Sequence, residues 1–170
     1  MDTLTTILSR RSVRKYCSDP IPLDDLKQIL EAGRQAPSAA NRQPWHFVLV
    51  GDSEQKQRVA QACRGQMWVA EAAYILVGVG LVEKSPKWYP VDVAIAMENM
   101  ILAARSLGYG TCWIGAFEPA DVKAVCGIPD ELEVVALTPL GVPDVSPDPR
   151  PRQERSEVFS AERYGQPLEI

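Results

Sequence analysis

The residues best suited to chemistry lie near the start of the chain, in the segment of residues 10–16. This segment combines the hydroxyl of Ser12 with four cationic side chains, Arg10, Arg11, Arg14 and Lys15. The whole chain carries a formal net charge of -4. Because a cluster of like charges repels itself, this cationic segment needs either open solvent or a bound counter-charge.

A second segment, residues 36–47, places small, amide and aromatic side chains directly before an apolar run. It contains Pro37, Ser38 and Asn41, and Trp45 follows. Together with the cationic segment, this composition indicates a bound anionic cofactor that has a flat polar ring.

A third basic region lies near the other end of the chain. Four prolines fall within the nine residues 143–151, which predicts an extended segment without a core of its own. The segment is basic because it carries Arg150, Arg152 and Arg155 at or just after these prolines. The planar guanidinium fork suits phosphate oxygens better than a lysine point charge. One phosphate would therefore satisfy both basic clusters, and two solvated basic faces are the alternative.

Length and composition limit the class of protein. A chain of 170 residues with 46% hydrophobic and 24% charged residues is typical of one soluble globular domain. No apolar run has the length of a membrane helix, no secretory signal pattern occurs at the N-terminus, and the acidic balance argues against nucleic-acid binding. The four cysteines are widely spaced, so we expect free thiols in a reducing cytoplasm and no metal site.

Several familiar motifs are missing or incomplete. His46 is the only histidine, no Gly-x-Ser-x-Gly elbow accompanies it, and we expect it to serve packing at the start of a strand. Gly78-Val79-Gly80 lacks the third glycine of a dinucleotide fingerprint, and no phosphate-binding Gly-x-x-x-x-Gly-Lys loop occurs. A mononucleotide held by arginines remains open.

Apolar periodicity and turn residues predict the order of elements. The predicted helices are residues 3–9, 23–34, 54–63, 91–107 and 119–125. The predicted strands are residues 46–50, 73–81, 111–117 and 132–140. Helix 91–107 is apolar nearly all round and so must be buried on nearly all sides. In so small a chain this favours a helix shared with a second subunit, and the alternative is the centre of a monomeric core.

Five segments in order resemble signatures of the nitroreductase family of FMN flavoproteins. They are residues 10–14 (RRSVR), 37–45 (PSAANRQPW), 66–69 (QMWV), 108–117 (GYGTCWIGAF) and 149–152 (PRPR). The resemblance covers about residues 1–155. It implies an α+β, nitroreductase-like fold with a mainly antiparallel sheet flanked by helices, a long buried dimer helix and an extended C-terminal tail. Residues 1–170 would form one FMN-binding domain, whose tail 143–170 packs on the partner subunit.

The resemblance also implies a cytoplasmic homodimer with FMN at the subunit interface. Arg10, Arg11, Ser12 and Arg14 would bind its phosphate, ribityl chain and pyrimidine edge, and Arg150 and Arg152 would close over the phosphate. The ring would be lined by Pro37, Ser38 and Asn41 of the other subunit and by the backbone of Ile114, Gly115 and Ala116. Gln66 would reach the pyrimidine edge, although Gly65 stands where many relatives carry Asn.

The implied activity is that of an FMN-dependent NAD(P)H oxidoreductase. It would reduce nitroaromatics, quinones or similar planar acceptors by ping-pong exchange, with no catalytic side chain because flavin N5 carries the chemistry. We expect Arg14 to stabilise the reduced, anionic flavin. At about 4 Å and an effective dielectric near 20, the attraction is roughly 4 kcal/mol, an upper figure because desolvation opposes it. For a two-electron couple this corresponds to on the order of 85 mV.

Two alternatives to this activity stay open: a flavin-binding storage or regulatory module with little turnover, and a dehydrogenase or dehalogenase of the same fold. The substrate is also undecided. The short segment 82–90 contains Trp88 and Tyr89, which would either stack on a planar substrate or pack under a surface loop.

Overall fold

The computed structural model describes residues 1–169, in which helices and strands are mixed along the chain. The α-helices of this range are α1 (Thr3–Ser9), α2 (Leu23–Arg34), α3 (Ser53–Ala62), α4 (Tyr89–Ser106), α5 (Pro119–Cys126) and α6 (Arg155–Val158). Its strands are β1 (Trp45–Val50), β2 (Tyr74–Gly80), β3 (Gly110–Thr111) and β4 (Glu133–Gly141). Ile170, the last residue of the predicted domain and tail, lies outside the described residues.

The strands of this range form one sheet in the order β1-β2-β4-β3, and every neighbouring pair is antiparallel. β2 lies inside the sheet, where Trp45 pairs with Gly80 and Val50 with Ile75 on the β1 side. Helices cover both faces. The predicted α+β class with a mainly antiparallel sheet is therefore confirmed.

Side chains of β2 point alternately to the two faces of the sheet and so contribute to two hydrophobic cores. Ile75, Val77 and Val79 pack with buried residues of α3 and α5 on one face. Leu76 points to the other face, where α2 and α4 contribute buried residues such as Ile29 and Met97. Because successive side chains of a strand point to opposite faces, a strand covered on both sides is apolar throughout.

The glycines of the incomplete Gly78-Val79-Gly80 motif serve packing. A Cβ atom at Gly78 would lie 2.5 Å from Met97 Sδ, and one at Gly80 would lie 2.2 Å from the Tyr89 ring. Both distances are far below van der Waals contact, so a side chain at Gly80 would displace the Tyr89 ring and one at Gly78 would require the Met97 side chain to move.

One face of α4 is uncovered within a single chain. Val93, Met97 and Ile101 are buried, whereas Val91 and Ile95 are 46% and 36% exposed. On α1, the apolar side chains of Leu4 and Leu8 are 71% and 75% exposed. The expected burial of α4 on nearly all sides therefore holds on one side only, and the second subunit stays a prediction.

The predicted strand 111–117 is wrong beyond its first residue. The Cys112 N–H donates to the hydroxyl of Thr138 at 3.2 Å, so a side chain takes the place of a backbone partner. Within the described segment 112–117, backbone pairing with the sheet is limited to Ile114, which exchanges two hydrogen bonds with Leu137 at 2.8 and 3.1 Å. The exposed Gly115 that follows is outside any strand.

Other predicted element bounds agree within two residues, and α4 begins at Tyr89 rather than at residue 91. His46 lies in β1 but is exposed, so its predicted packing role is wrong. The described part of the chain contains no helix that combines the length and apolarity needed to cross a bilayer. The cytoplasmic location stays a prediction.

Candidate functional site

The cationic segment is fixed to the edge of the sheet. The Val13 N–H donates to the Thr111 carbonyl at 2.9 Å, and Ser12 pairs with Thr111 in a parallel bridge. Val13 and Tyr16 are buried, and the Tyr16 hydroxyl donates to the Val13 carbonyl at 2.7 Å. Because neighbouring side chains in extended backbone point in opposite directions, the buried Val13 directs Ser12 and Arg14 away from this core.

Arg10 carries a buried guanidinium nitrogen that makes no hydrogen bond within residues 1–169. Its Nε atom lies 3.9 Å from Glu98 Oε1 on α4, and Glu98 Oε2 accepts a hydrogen bond from Trp113 Nε1 at 2.8 Å. The unpaired atom is Arg10 Nη1. Since a buried cationic donor without an acceptor is unfavourable, this position fits an anionic group such as a phosphate.

Arg11 is used differently by the protein. Its Nη1 donates to the carbonyls of Leu8 and Arg10, each at 2.8 Å, and so satisfies acceptors where α1 ends. The remaining nitrogens of this half-buried side chain could still reach a ligand, and its cofactor role stays a prediction.

A cleft of about 80 Å³ lies beside the cationic segment and joins residues far apart in the sequence. Five of the predicted site residues line it: Arg14, Gln66, Ile114, Gly115 and Ala116. The Gln66 side-chain amide donates to the Cys63 carbonyl at 2.9 Å and to the Ala116 carbonyl at 3.2 Å. Gln66 therefore lies in the cleft, where it also braces the exposed turn at Gly115 and Ala116.

Three further lining residues were not singled out as site residues from the sequence. They are Trp68, Cys112 and Trp113. All three lie inside the motifs that carry the family resemblance, which is the signal that could have found them. Burial raises the pKa of the Cys112 thiol, while nearby Arg14, Ser12 and Arg10 oppose that shift. All four cysteines are free thiols, as predicted.

The predicted ring-lining loop adopts an unusual backbone. Ala40, Asn41 and Gln43 have φ values of 49°, 53° and 49°, a left-handed conformation that costs non-glycine residues about 1–3 kcal/mol each. The lining of the 80 Å³ cleft does not include Pro37, Ser38 or Asn41. Their predicted contribution to a flavin of the other subunit stays a prediction.

The tail arginines are not brought to the cleft within one chain. Arg150 and Arg152 are exposed, and Arg152 Nη1 donates only to nearby carbonyls, those of Arg150 and Pro151, at 3.4 Å. Among the described residues, every hydrogen bond of segment 145–169 stays within that segment. Its predicted position on a partner subunit stays a prediction.

Trp88 and Tyr89 lie in different surroundings. The Tyr89 ring packs against Gly80, while Trp88 is 43% exposed and has Lys87 Nζ 5.3 Å from its ring centroid. Tyr89 thus packs against its own chain and Trp88 is exposed, while contact of either ring with a substrate stays a prediction.

A larger groove of about 300 Å³ lies between α3 and α5, away from these residues. Its charged lining residues, Arg58 and Asp121, are exposed, and it contains none of the predicted site residues. We take the smaller cleft as the candidate functional site because Arg14, the aromatic rings of Trp68 and Trp113, and the exposed backbone at Gly115 and Ala116 meet there. Within the described residues, no cluster of three or more metal-ligating side chains occurs.

Comparison with known proteins identifies the family and the fold of the chain. The Nitroreductase family model matches residues 7–81 and 82–142. The crystal structure of a nitroreductase family protein from Clostridium novyi NT is 35% identical, with a TM-score of 0.82 and coverage of 98% of this chain and 96% of that chain. The NADPH:FMN oxidoreductase from Vibrio harveyi, complexed with NAD+, is 32% identical, with a TM-score of 0.88 and coverage of 98% and 79%.

A curated relative, the NADPH-flavin oxidoreductase of Vibrio harveyi, is 31% identical over 179 residues, which are 96% of this chain and 75% of the relative. The nitroreductase-like fold that the motifs predicted is confirmed by these structural neighbours. The chain belongs to the nitroreductase family.

Proposed function

We propose that the protein is a homodimeric, FMN-dependent NAD(P)H oxidoreductase that reduces planar electron-poor acceptors by ping-pong exchange. One observation carries the proposal: Arg14 and the exposed backbone at Gly115 and Ala116 share a cleft beside Arg10, whose buried Nη1 lacks a partner. The family assignment and the similarity to an NADPH:FMN oxidoreductase support it.

The chain's own residues would bind and orient the cofactor. Arg10 and Ser12 would hold the phosphate and ribityl chain, and Arg14 would lie against the pyrimidine edge. A guanidinium at that edge favours the reduced flavin, because it lies close to developing negative charge. When bound, the isoalloxazine ring supplies the hydride chemistry, so no protein side chain has to act as an acid.

The second half of the site would come from a partner copy. The apolar residues Leu4 and Leu8 on α1 and Val91 and Ile95 on α4 are exposed, and a second subunit would cover them. The partner would then contribute its loop 37–41 and its tail with Arg150 and Arg152. Covering this surface removes apolar area from water, which favours association.

The substrates would use the open side of the cleft in turn. NAD(P)H would reduce the flavin and leave, and a nitroaromatic or quinone would then take its place. The exposed Trp88 offers an aromatic face for stacking with either planar molecule.

Anaerobic mixing tests the proposal. The purified protein should contain FMN, NADH or NADPH should bleach the visible flavin absorbance, and menadione or nitrofurazone should restore it. Repeated consumption of NAD(P)H with either acceptor distinguishes an enzyme from a flavin-storage protein. Failure of both nicotinamides to bleach the bound flavin would contradict the proposal.

A further inference from the structure

The loop of residues 38–43 has few restraints for a backbone that its sequence does not favour. Ala40, Asn41 and Gln43 are left-handed although none is glycine. Within the loop, Ser38 Oγ accepts the Gln43 N–H at 2.9 Å, and Gln43 Nε2 donates to Asn41 Oδ1 at 3.2 Å. These bonds shape the loop but do not connect it to the rest of the protein.

One side chain outside the loop makes that connection. Asp92 Oδ1 accepts the N–H of Ala39 at 3.1 Å. Among residues 1–169, this is the only hydrogen bond between another element and residues 38–43. The loop is therefore tied to the first turn of α4 by a single carboxylate.

The burial of the Asp92 carboxylate is unfavourable for stability, so we expect its hydrogen bond to the loop to have a compensating role. The residue is only 3% exposed, and its second oxygen, Oδ2, is buried without a hydrogen-bond partner. A buried carboxylate with an unsatisfied oxygen is less favourable than an apolar group of similar shape. The N-terminal turn of α4 offsets part of the charge but supplies no partner for that oxygen.

We infer that Asp92 is a positioning residue that holds the strained loop in the conformation presenting Pro37, Ser38 and Asn41 to the flavin. The flavin part of this inference rests on the proposed function, whereas the ordering of the loop by Asp92 does not. Flavin affinity falls in proportion to the fraction of molecules whose loop is in the competent conformation. Loss of the tie therefore weakens flavin binding while the fold of the body is kept.

The test compares Asp92→Leu, which removes the acceptor but fills the space, with Asp92→Asn, which keeps an acceptor oxygen. Asn99→Ala is the matched control, because Asn99 Nδ2 on the same helix donates to the Ala32 carbonyl on α2 at 3.3 Å. Hydrogen exchange of amides 38–43 in flavin-free protein, the FMN dissociation constant and the free energy of unfolding are measured for each variant.

For Asp92→Leu we expect faster exchange at Ala39 and about tenfold weaker FMN binding, which corresponds to one tenth of molecules keeping a competent loop. Its free energy of unfolding should be unchanged or higher, since the unpaired carboxylate is gone. Asp92→Asn should match the wild type in loop exchange and in FMN affinity, and Asn99→Ala should leave exchange in the loop unchanged.

Wild-type exchange and affinity in Asp92→Leu would overturn the inference. So would an Asp92→Asn variant as defective as Asp92→Leu, because the acceptor would then not be the cause. If Asp92→Leu does not fold, Asp92→Ala replaces it in the same comparison. A wild-type protein that binds no FMN would refute the proposed function alone, and exchange in the flavin-free protein would still decide whether Asp92 orders the loop.

Discussion

The two arginine-bearing regions of the chain differ in how they are held. The buried side chains of Val13 and Tyr16 anchor the cationic segment of residues 10–16, and backbone hydrogen bonds join it to Thr111 and to Asp144. The region with Arg150 and Arg152 belongs to segment 145–169, whose hydrogen bonds are all internal and whose apolar side chains, such as Phe159, are exposed. The backbone that carries the arginines of residues 10–16 is thus held in place by the fold, whereas the backbone that carries Arg150 and Arg152 is not.

This difference separates the expected contributions to binding. A guanidinium on a backbone that the fold already anchors loses less freedom when an anion binds than one on an unanchored segment, which must be ordered first. The first region should therefore bind flavin phosphate through its own chain, and the second should act only when a partner surface positions it. Four experiments test this difference between the two regions.

Replacement of Arg14 should give the largest effect. Loss of a charge-assisted hydrogen bond costs about 1.5–3 kcal/mol, so Arg14→Ala should weaken FMN binding about 10- to 150-fold. It should also lower the flavin midpoint potential. Arg14→Lys, which keeps the charge but not the planar fork, should be intermediate in both respects. Fluorescence titration and redox titration measure the two quantities, and an unchanged affinity in Arg14→Ala would contradict the preorganised role.

Deletion of residues 145–170 should have a smaller effect on affinity, about tenfold, because one charge-assisted contact is worth about 1.4 kcal/mol or more. The flavin-free body should still fold, since the segment's hydrogen bonds are internal. Circular dichroism and FMN titration check both. FMN affinity equal to that of the full chain would contradict the expected contribution of the tail.

Single substitutions of Trp88 and Tyr89 should affect different properties of the protein. Trp88→Ala removes an exposed ring and should raise the acceptor KM about threefold with little change in stability, since one aromatic contact is worth about 0.5–1.5 kcal/mol. Tyr89→Ala should instead lower the melting temperature, because its ring fills the space over Gly80. Equal KM effects from both changes would contradict this division.

The smallest effect is expected at Asp144, where the two regions meet. Lys15 Nζ lies 2.6 Å from Asp144 Oδ2 and lowers the pKa of that carboxyl. The pair's stabilising contribution is therefore present above the ordinary pKa of an aspartate and is lost as the pH falls. Asp144→Asn should remove this acid dependence and leave neutral-pH stability nearly unchanged, because both groups are exposed. Thermal unfolding at several pH values measures it.

The sequence predicted most of the fold because apolar periodicity marks elements such as β2 and α4 strongly. It failed over residues 111–117, because the hydroxyl of Thr138 replaces a backbone partner there, and a local pattern cannot show a contact between distant residues. The left-handed backbone at Ala40 could not be predicted from the sequence either, because alanine rarely adopts a positive φ.

For the site, the motifs named Arg14, Gln66 and the turn 114–116, which line one cleft, and their contact with a flavin stays a prediction. They could not show that Arg11 closes the end of α1 or that Asp92 ties down the loop, since both depend on side-chain contacts. The tail was predictable as extended, and its position on a partner subunit stays a prediction because none of its hydrogen bonds within residues 145–169 reaches the body of its own chain.

Mixed dimers test most directly whether each flavin lies between two copies of the chain. One subunit carries Arg14→Ala and the other Ser38→Ala with Asn41→Ala, and differently tagged copies are purified as the heterodimer. If the two sets of residues meet across the interface, both lesions fall in one site, and the mixed dimer should bind one FMN tightly while each variant homodimer binds none tightly. A mixed dimer that binds no FMN tightly would show that each site is built within one chain.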